Sequence, residues 1–181
     1  MKFENTNFNG LLIIQPDVFE DKRGSVFESF SKKKYEENGI TDEFVQDNIS
    51  ISDQNTIRGL HLQVGEKSQG KLCQVIMGSI LDVAVDVRTD SPTFGKYFSI
   101  ELSDENHLQL WIPKGFAHGF SVLSEKAIVS YKCTEYYNKE SERSILYNDQ
   151  DLAIDWGIEK PIVSDRDLNA ITFQQFKSQN L

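Results

Sequence analysis

Cysteine and proline are scarce in this 181-residue chain, which contains 2 cysteines, 4 prolines and 11 glycines. The two thiols, Cys73 and Cys133, lie in strand-like runs and have no short metal-binding spacing. We therefore expect two buried free cysteines in a reducing compartment, rather than a disulfide framework or a cysteine-ligated metal. So little proline and glycine also argues against a fibrous or disordered chain.

Long apolar runs are absent as well. No segment is long enough to span a bilayer, and residues 1–5 lack the apolar core of a signal peptide, so we expect a cytoplasmic protein with no membrane partner. Basic residues are in deficit, because 19 lysines and arginines stand against 28 acidic residues and leave a net charge of -9. That charge disfavours nucleic acid as a partner, and an anionic ligand would need a local group of basic side chains.

Short strand-like runs make up most of the chain, without a linker or a repeat. With 39% hydrophobic residues, the length suits one folded domain over residues 1–181. In the clearest run, Ser79–Arg88, leucine and valine alternate with aspartate, alanine and arginine, which predicts a half-buried strand. The predicted strands are Leu11–Gln15, Ser25–Phe30, Phe44–Ser52, Thr56–Gln63, Lys71–Met77, Ser79–Arg88, Lys96–Leu102, Leu108–Ile112, Gly119–Leu123 and Ala127–Tyr136.

Helical signals are few. Ser31 can cap a helix over Lys32–Asn38, and Gly39 can end it. A short helix or turn is expected around Asp149–Ala153. Together these patterns favour an all-β fold, an antiparallel double-sheet jelly roll with a few peripheral short helices.

The run Thr56–Gln63 is the most informative part of the chain, because it places Arg58 and His61 inside an apolar strand. Residues three apart on a regular strand point to opposite faces. A bulge at Gly59 would bring both into one cavity, whereas without it Arg58 could form an outward salt bridge. An imidazole that titrates near neutrality can act as a general base, and the alternative is that His61 is a satisfied core histidine.

Other polar residues suit a role beside His61. Tyr131 lies within a strand and could donate a proton, or could simply pack with its hydroxyl at the edge. Asp167 falls on a predicted loop and would matter only if it oriented His61. A metal is not expected, because Gln63 stands where a second histidine ligand would be needed. No Walker or dinucleotide-binding glycine pattern occurs.

Many short motifs follow one another along the chain. They are Phe19–Gly24 with Glu28, Phe44–Asn48, Ile57–His61, Gln69–Leu72, Asp82–Arg88, Ser91–Gly95, Ile112–Phe120, Tyr131–Lys132, Tyr136–Tyr137, Asn148–Asp149 and Ser164–Asp167. In these motifs and their order the chain resembles the dTDP-4-dehydrorhamnose 3,5-epimerases, a cupin-type jelly-roll family of nucleotide-sugar epimerases. The resemblance covers roughly residues 8–170 and is specific because so many motifs occur in order.

The resemblance implies a catalytic role for four residues. His61 would remove the proton next to the sugar ketone, Asp167 would orient His61, Tyr131 would deliver a proton to the opposite face, and Lys71 would stabilise the enolate oxygen. Tyr137 would stack on the thymine. The residues implied to hold the nucleotide sugar are Arg23, Glu28, Gln46, Asn48, Arg58, His118 and Glu142.

One motif departs from the family pattern. The family's Ser-x-Lys-Asp reads Ser-Asp-Arg166-Asp167 here, and arginine keeps the charge of lysine but not its shape. The role of Arg166 in substrate binding is therefore carried over from a lysine and not from an identical residue.

The resemblance implies an epimerase that inverts C3 and C5 of dTDP-4-dehydro-6-deoxy-D-glucose, giving dTDP-4-dehydro-L-rhamnose without a cofactor or a metal. It also implies a homodimer. The apolar run Leu11–Ile14 could be an edge strand that extends a sheet across subunits. The alternatives are a related 3-epimerase, 5-epimerase or 3,4-ketoisomerase, and a noncatalytic sugar-nucleotide-binding jelly roll. The residues His61 and Tyr131 favour catalysis, because pure binding requires no base and acid.

Overall fold

A computed structural model describes residues 1–179. The strands form two antiparallel sheets and one separate hairpin. The strands are β1 (Lys2–Asn5), β2 (Leu12–Gln15), β3 (Val18–Asp21), β4 (Gly24–Phe27), β5 (Gln46–Asp53), β6 (Ile57–Gln63), β7 (Lys71–Met77), β8 (Ser79–Asp86), β9 (Tyr97–Ser103), β10 (Gln109–Ile112), β11 (Phe116–Val122), β12 (Lys126–Cys133) and β13 (Glu142–Ser144). The helices are α1 (Lys32–Glu37), α2 (Asp165–Leu168) and α3 (Phe173–Lys177).

The two sheets pack on each other and enclose the core. The six-stranded sheet has the order β1-β2-β10-β7-β12-β5, the five-stranded sheet has the order β13-β6-β11-β8-β9, and β3 pairs with β4 in the hairpin. One apolar cluster, which includes Cys73, Ala84 and Leu110, lies between the sheets. A second cluster, which includes Val85, Trp156 and Phe173, covers the outer face of the five-stranded sheet with the C-terminal segment. The predicted all-β jelly roll with peripheral helices is confirmed.

Each predicted strand is found, and most have altered ends. Lys71–Met77 matches its prediction, whereas β11 begins three residues before the predicted Gly119 and β12 ends three residues before the predicted Tyr136. The prediction that Leu11–Ile14 forms a sheet edge is wrong, because β2 lies between β1 and β10. The edges of that sheet are β1 and β5. The sequence did not predict β1, β3 or β13.

The helix predictions hold in part. Helix α1 follows Ser31, but the Ser31 side chain makes no cap hydrogen bond. Gly39 adopts φ +87, a left-handed conformation that favours glycine at a helix end. The segment around Asp149–Ala153 forms turns. Asp167 lies in α2 rather than in the predicted loop, because the Ser164 hydroxyl accepts a hydrogen bond from the Asp167 backbone N–H and starts a short helix.

Neither α1, α2 nor α3 is long and apolar enough to cross a membrane. Both predicted free cysteines, Cys73 and Cys133, are buried thiols.

The prediction that β8 is half-buried is wrong, because both faces of this strand are covered. Asp82, Ala84 and Asp86 are each 0% exposed, as are Val83 and Val85. The strand lies between β11 and β9, with the inter-sheet core on one face and the C-terminal segment on the other. The alternation in the sequence therefore marks two buried faces, one of which contains carboxylates.

Asp86 shows how such a carboxylate is accommodated. It accepts hydrogen bonds from Arg88 Nε at 2.8 Å, Ser91 Oγ at 2.5 Å and Thr93 Oγ1 at 2.6 Å. Burial opposes its ionisation, but the hydrogen bonds, above all those from Arg88, lower the pKa of Asp86 to about 2. Because the pKa of Asp86 is lower in the folded protein than in the unfolded chain, the ionisation of Asp86 stabilises the fold.

We expect Asp86→Asn to destabilise the fold at neutral pH. A pKa that falls from 3.8 to about 2 contributes about 2 kcal/mol, fully present above the unfolded value and lost as the pH falls through the folded one. Urea unfolding of both proteins between pH 7 and pH 2 would measure this. The difference between them should shrink below about pH 4, and a variant as stable as the wild type at pH 7 would contradict the expectation.

Candidate active site

A cavity of about 880 Å³ opens between the two sheets. Its walls carry Arg58, His61 and His118 from the five-stranded sheet, and Lys71 and Tyr131 from the six-stranded sheet. An adjoining cavity of about 420 Å³ shares some of these residues. It adds the predicted binding residues Gln46, Asn48, Tyr137 and Glu142.

A bulge at Gly59 brings Arg58 and His61 to the same cavity. His61 pairs with His118 on β11, but the next pair joins Arg58 to Phe120, so β6 carries one extra residue. Gly59 adopts φ +139, and a Cβ there would lie 2.5 Å from Gly119 Cα, so no larger residue fits. The predicted bulge is confirmed.

Arg58 faces the cavity rather than an outward partner. Its Nε donates to Ser52 Oγ at 2.9 Å, and within residues 1–179 it forms no ion pair. Arg58, Lys71 and Arg166 together place three cationic side chains around the cavity. The acidic chain therefore has the local basic group that an anionic ligand requires.

His61 and Asp167 form a hydrogen-bonded pair on one wall. His61 Nε2 lies 2.7 Å from Asp167 Oδ1, and the Gly59 N–H lies 3.3 Å from Asp167 Oδ2. Burial opposes the ionisation of Asp167, but the bonds from His61 and Gly59 hold its pKa below the ordinary value. Because a carboxylate only accepts, Nε2 carries the hydrogen and Nδ1 keeps a lone pair that can take a proton.

Arg166 closes the rim above this pair. Its Nη1 donates to Glu142 Oε1 at 3.1 Å, and its Nη2 lies 3.4 Å from His61 Nδ1 and 2.8 Å from Nε2. Because a guanidinium only donates and Nε2 already donates to Asp167, Nδ1 is the ring nitrogen that can accept from Arg166. The Tyr137 hydroxyl donates to Glu142 Oε2 at 3.0 Å. Arg166 is thus in direct contact with the predicted base, and its planar guanidinium reaches Glu142 and His61 at once.

Tyr131 lies on the other sheet from His61, so the predicted acid and base occupy different walls. Burial raises the pKa of Tyr131, which therefore remains a protonated phenol at neutral pH. Lys71 Nζ is 3.4 Å from the His61 carbonyl oxygen, which places an ammonium group between the two walls. This geometry can remove a proton from one face of a ligand and supply one to the other.

The smaller cavity is also preorganised. Gln46 Nε2 donates to Asn48 Oδ1 at 3.0 Å, and Gln46 Oε1 accepts from the Tyr137 backbone N–H at 2.9 Å. The Tyr137 ring is 54% exposed and available for stacking.

A group of three potential metal ligands lies behind the cavity wall and consists of Cys73, Asp82 and His118. His118 Nε2 and Asp82 Oδ1 are 2.7 Å apart. A nitrogen ligand and an oxygen ligand of the same tetrahedral zinc ion would lie about 3.3 Å apart. The spacing of His118 Nε2 and Asp82 Oδ1 is that of a hydrogen bond.

The model for dTDP-4-dehydrorhamnose 3,5-epimerase matches residues 5–175. The chain belongs to the dTDP-4-dehydrorhamnose 3,5-epimerase family. The predicted family and the predicted enzyme class, a carbohydrate epimerase, are confirmed. The enzyme of that name from Shigella flexneri is 48% identical over 174 residues, which is 96% of each chain.

Solved structures of this family superpose closely on the chain, in keeping with the predicted cupin-type fold. The 3,5-epimerase from Elizabethkingia anophelis NUHP1 has a TM-score of 0.93 and 51% identity, and covers 100% of this chain and 99% of its own. The dTDP-6-deoxy-D-glucose-3,5-epimerase from Legionella pneumophila Philadelphia 1, in complex with dTDP-4-keto-L-rhamnose, has a TM-score of 0.95 and 49% identity. It covers 99% of this chain and 96% of its own.

Two residues that the epimerase resemblance assigns to the substrate do not line either of these cavities. Arg23 lies on the β3–β4 hairpin and pairs with Asp21 at 2.5 Å. Glu28 follows the hairpin and pairs with Lys34. Both are exposed. Within residues 1–179 of one chain, the structure brings together every other predicted site residue but not these two.

Sequence reasoning missed Asp82 as a partner of the site. The signal was present in the buried alternation of β8, where an aspartate takes a position that faces the core. Reading β8 as half-buried placed this carboxylate in solvent and hid its role.

Proposed function

We propose that this epimerase inverts C3 and C5 of dTDP-4-dehydro-6-deoxy-D-glucose and yields dTDP-4-dehydro-L-rhamnose. The observation that carries the proposal is a histidine–aspartate pair on one wall of the cavity with a buried phenol on the other. The three cationic side chains around the cavity suit a nucleoside diphosphate. A relative at 49% identity that binds dTDP-4-keto-L-rhamnose supports this ligand class.

The chemistry begins with a proton next to the C4 ketone. Such a proton is a weak acid, so its removal needs a positioned base and a charge that stabilises the enolate oxygen. His61 Nδ1 takes the proton, and the ammonium group of Lys71 faces the developing negative charge. Tyr131 then gives a proton to the opposite face of the same carbon, which inverts the centre. C3 and C5 both adjoin C4, so one set of residues serves both positions.

The remaining roles follow from position. Arg58 and Arg166 bind the diphosphate, Tyr137 stacks on the thymine, and the other residues that line the cavities orient the sugar and nucleoside. These are Gln46, Asn48, His118 and Glu142. The substrate's own ketone acidifies the proton, so the reaction proceeds without a cofactor or a metal. We propose that residues 1–181 act as one domain in the cytoplasm.

The test is incubation with dTDP-4-dehydro-6-deoxy-D-glucose in deuterium oxide, with NMR detection of label. We expect deuterium at both C3 and C5 together with the rhamno product, and the same result after dialysis against a chelator. Label at only one carbon would identify a monoepimerase, and no label with tight binding would identify a binding protein.

We also propose a homodimer in which the β3–β4 hairpin of a second copy completes the cavity. The hairpin exposes Phe19 (67%) and Val26 (68%), while the edge strand β5 exposes Ile49 (70%) and Ile51 (61%) at the cavity. Exposed apolar side chains on a hairpin and on a free sheet edge favour association. Such a contact would carry Arg23 and Glu28 to the substrate.

Complementation between two variants, one that binds substrate weakly and one that lacks the base, tests this dimer. We expect Arg23→Ala to raise the KM, because it removes a charge-assisted contact to the nucleotide. In a mixed dimer of Arg23→Ala and His61→Ala chains, one site regains both native residues. A 1:1 mixture after subunit exchange should therefore recover about one quarter of the wild-type sites.

Activity at low substrate concentration measures the recovery. No recovery, with mixed dimers shown by mass spectrometry, would place Arg23 in its own chain's site or outside any site. A monomer by light scattering would also contradict the proposal.

A further inference from the structure

A second histidine–carboxylate pair adjoins the cavity. His118 Nε2 is 2.7 Å from Asp82 Oδ1. His118 is paired directly with His61 in the β6–β11 register and lines the cavity, whereas Asp82 lies behind it and is 0% exposed. Asp82 can therefore act on a ligand only through His118.

The burial of Asp82 is energetically unfavourable. Its Oδ2 is buried and has no hydrogen-bond partner among residues 1–179. A buried carboxylate with an unpaired oxygen is unfavourable unless something compensates. Asp86 lies four residues further along the same strand, and both of its oxygens are bonded by Arg88 and its neighbours. These hydrogen bonds explain why a carboxylate is tolerated at position 86, but Asp82 has no comparable set of structural partners.

Asp82 determines which nitrogen of His118 carries hydrogen. Because the carboxylate only accepts, Nε2 is the donor and Nδ1 keeps its lone pair. Cys73 Sγ is 3.7 Å from the same Nε2, and burial raises the pKa of this thiol well above its ordinary value. His118 Nδ1 has no protein partner within residues 1–179.

His118 is also uncharged at neutral pH. Burial lowers the pKa of His118, and the positive charge of Lys71 acts in the same direction, although Asp82 opposes them. The ring is therefore a neutral imidazole with one accepting nitrogen. Such a group attracts a hydroxyl hydrogen and does not attract a phosphate oxygen.

We propose that Asp82 is a positioning residue, which presents His118 to the substrate as a hydrogen-bond acceptor for a sugar hydroxyl. The inference rests on the proposed epimerase function. The 4-keto sugar carries a hydroxyl on C3, one of the carbons to be inverted, and a fixed acceptor there orients the ring between His61 and Tyr131. His118 thus recognises the sugar, and the diphosphate is left to the arginines.

A matched pair of variants on β8 tests this role. We expect Asp82→Asn to lower kcat by about 10- to 100-fold, as large as the effect on activity of removing the partner behind a metal-bound histidine. Its dissociation constant for dTDP, which lacks the sugar, should stay within about two-fold of the wild type in calorimetry. Asp86→Asn also removes a buried aspartate from β8, and we expect it to lower stability while leaving kcat at the wild-type value.

Long-range proton–nitrogen NMR of the wild-type protein gives a second measurement that does not depend on the variant folding. It should show His118 as the neutral Nε2–H tautomer. Wild-type His118 with hydrogen on Nδ1, or an Asp82→Asn enzyme with wild-type kcat, would overturn the inference. Failure of the wild type to turn over the dTDP-linked ketose would instead overturn the proposed function, so the two failures are distinguishable.

Discussion

His61→Asn should abolish deuterium incorporation at both C3 and C5 while the protein stays folded. Loss of a general base costs about 10²- to 10⁴-fold in rate or more. Asparagine keeps much of the shape of the ring but cannot take a proton at neutral pH. We expect both carbons to be affected together, because His61 is the histidine that bonds to Asp167 and faces the cavity.

His107→Asn is the matched control for this substitution. His107 packs on Phe27, outside the cavity, so the same chemical change there should leave turnover intact. Exchange is measured by NMR in deuterium oxide, and dTDP affinity by calorimetry. A folded His61→Asn enzyme that still exchanges either proton at the wild-type rate would remove His61 from the mechanism.

The sequence indicated that β6 belongs to the candidate site, because the unusual residues of this strand are close together in the chain. A histidine and an arginine within an apolar run, with a glycine between them, needed only one bulge to reach the same cavity. The geometry at Gly59 supplies that bulge. Such predictions succeed when the determining residues are neighbours in the chain.

Features set by distant parts of the chain could not be predicted in this way. Helix α2 is only four residues long, too short to show a helical period, and its Asp167 meets His61 from 106 positions away. The two-sided burial of β8 depends on the six-stranded sheet, which covers the Asp82, Ala84 and Asp86 face that the alternation alone suggests is exposed. Trp156 and Phe173 cover the valine face, which the alternation does predict to be buried. Tertiary packing overrides a local pattern in both cases.

Tyr131→Phe should separate proton removal from inversion. If Tyr131 supplies the proton on the opposite face, the variant keeps the His61 base and the Lys71 ammonium but lacks the acid. His61 can then remove a proton and return one to its own face. Deuterium would therefore enter the substrate with retained configuration, while net epimerisation falls by about 10²- to 10⁴-fold. Substrate binding should change little, because the cationic side chains at the cavity are intact.

Tyr35→Phe gives the matched control, since both variants remove one phenol oxygen. Tyr35 is 1% exposed, and its hydroxyl donates to Gln109, away from the cavity. Its loss should lower stability by about 1 kcal/mol and leave inversion at the wild-type rate. If Tyr131 were only a packing residue, its variant would behave in the same way. Rapid inversion by Tyr131→Phe would then assign the second proton to water or to another group at the cavity, such as Tyr137.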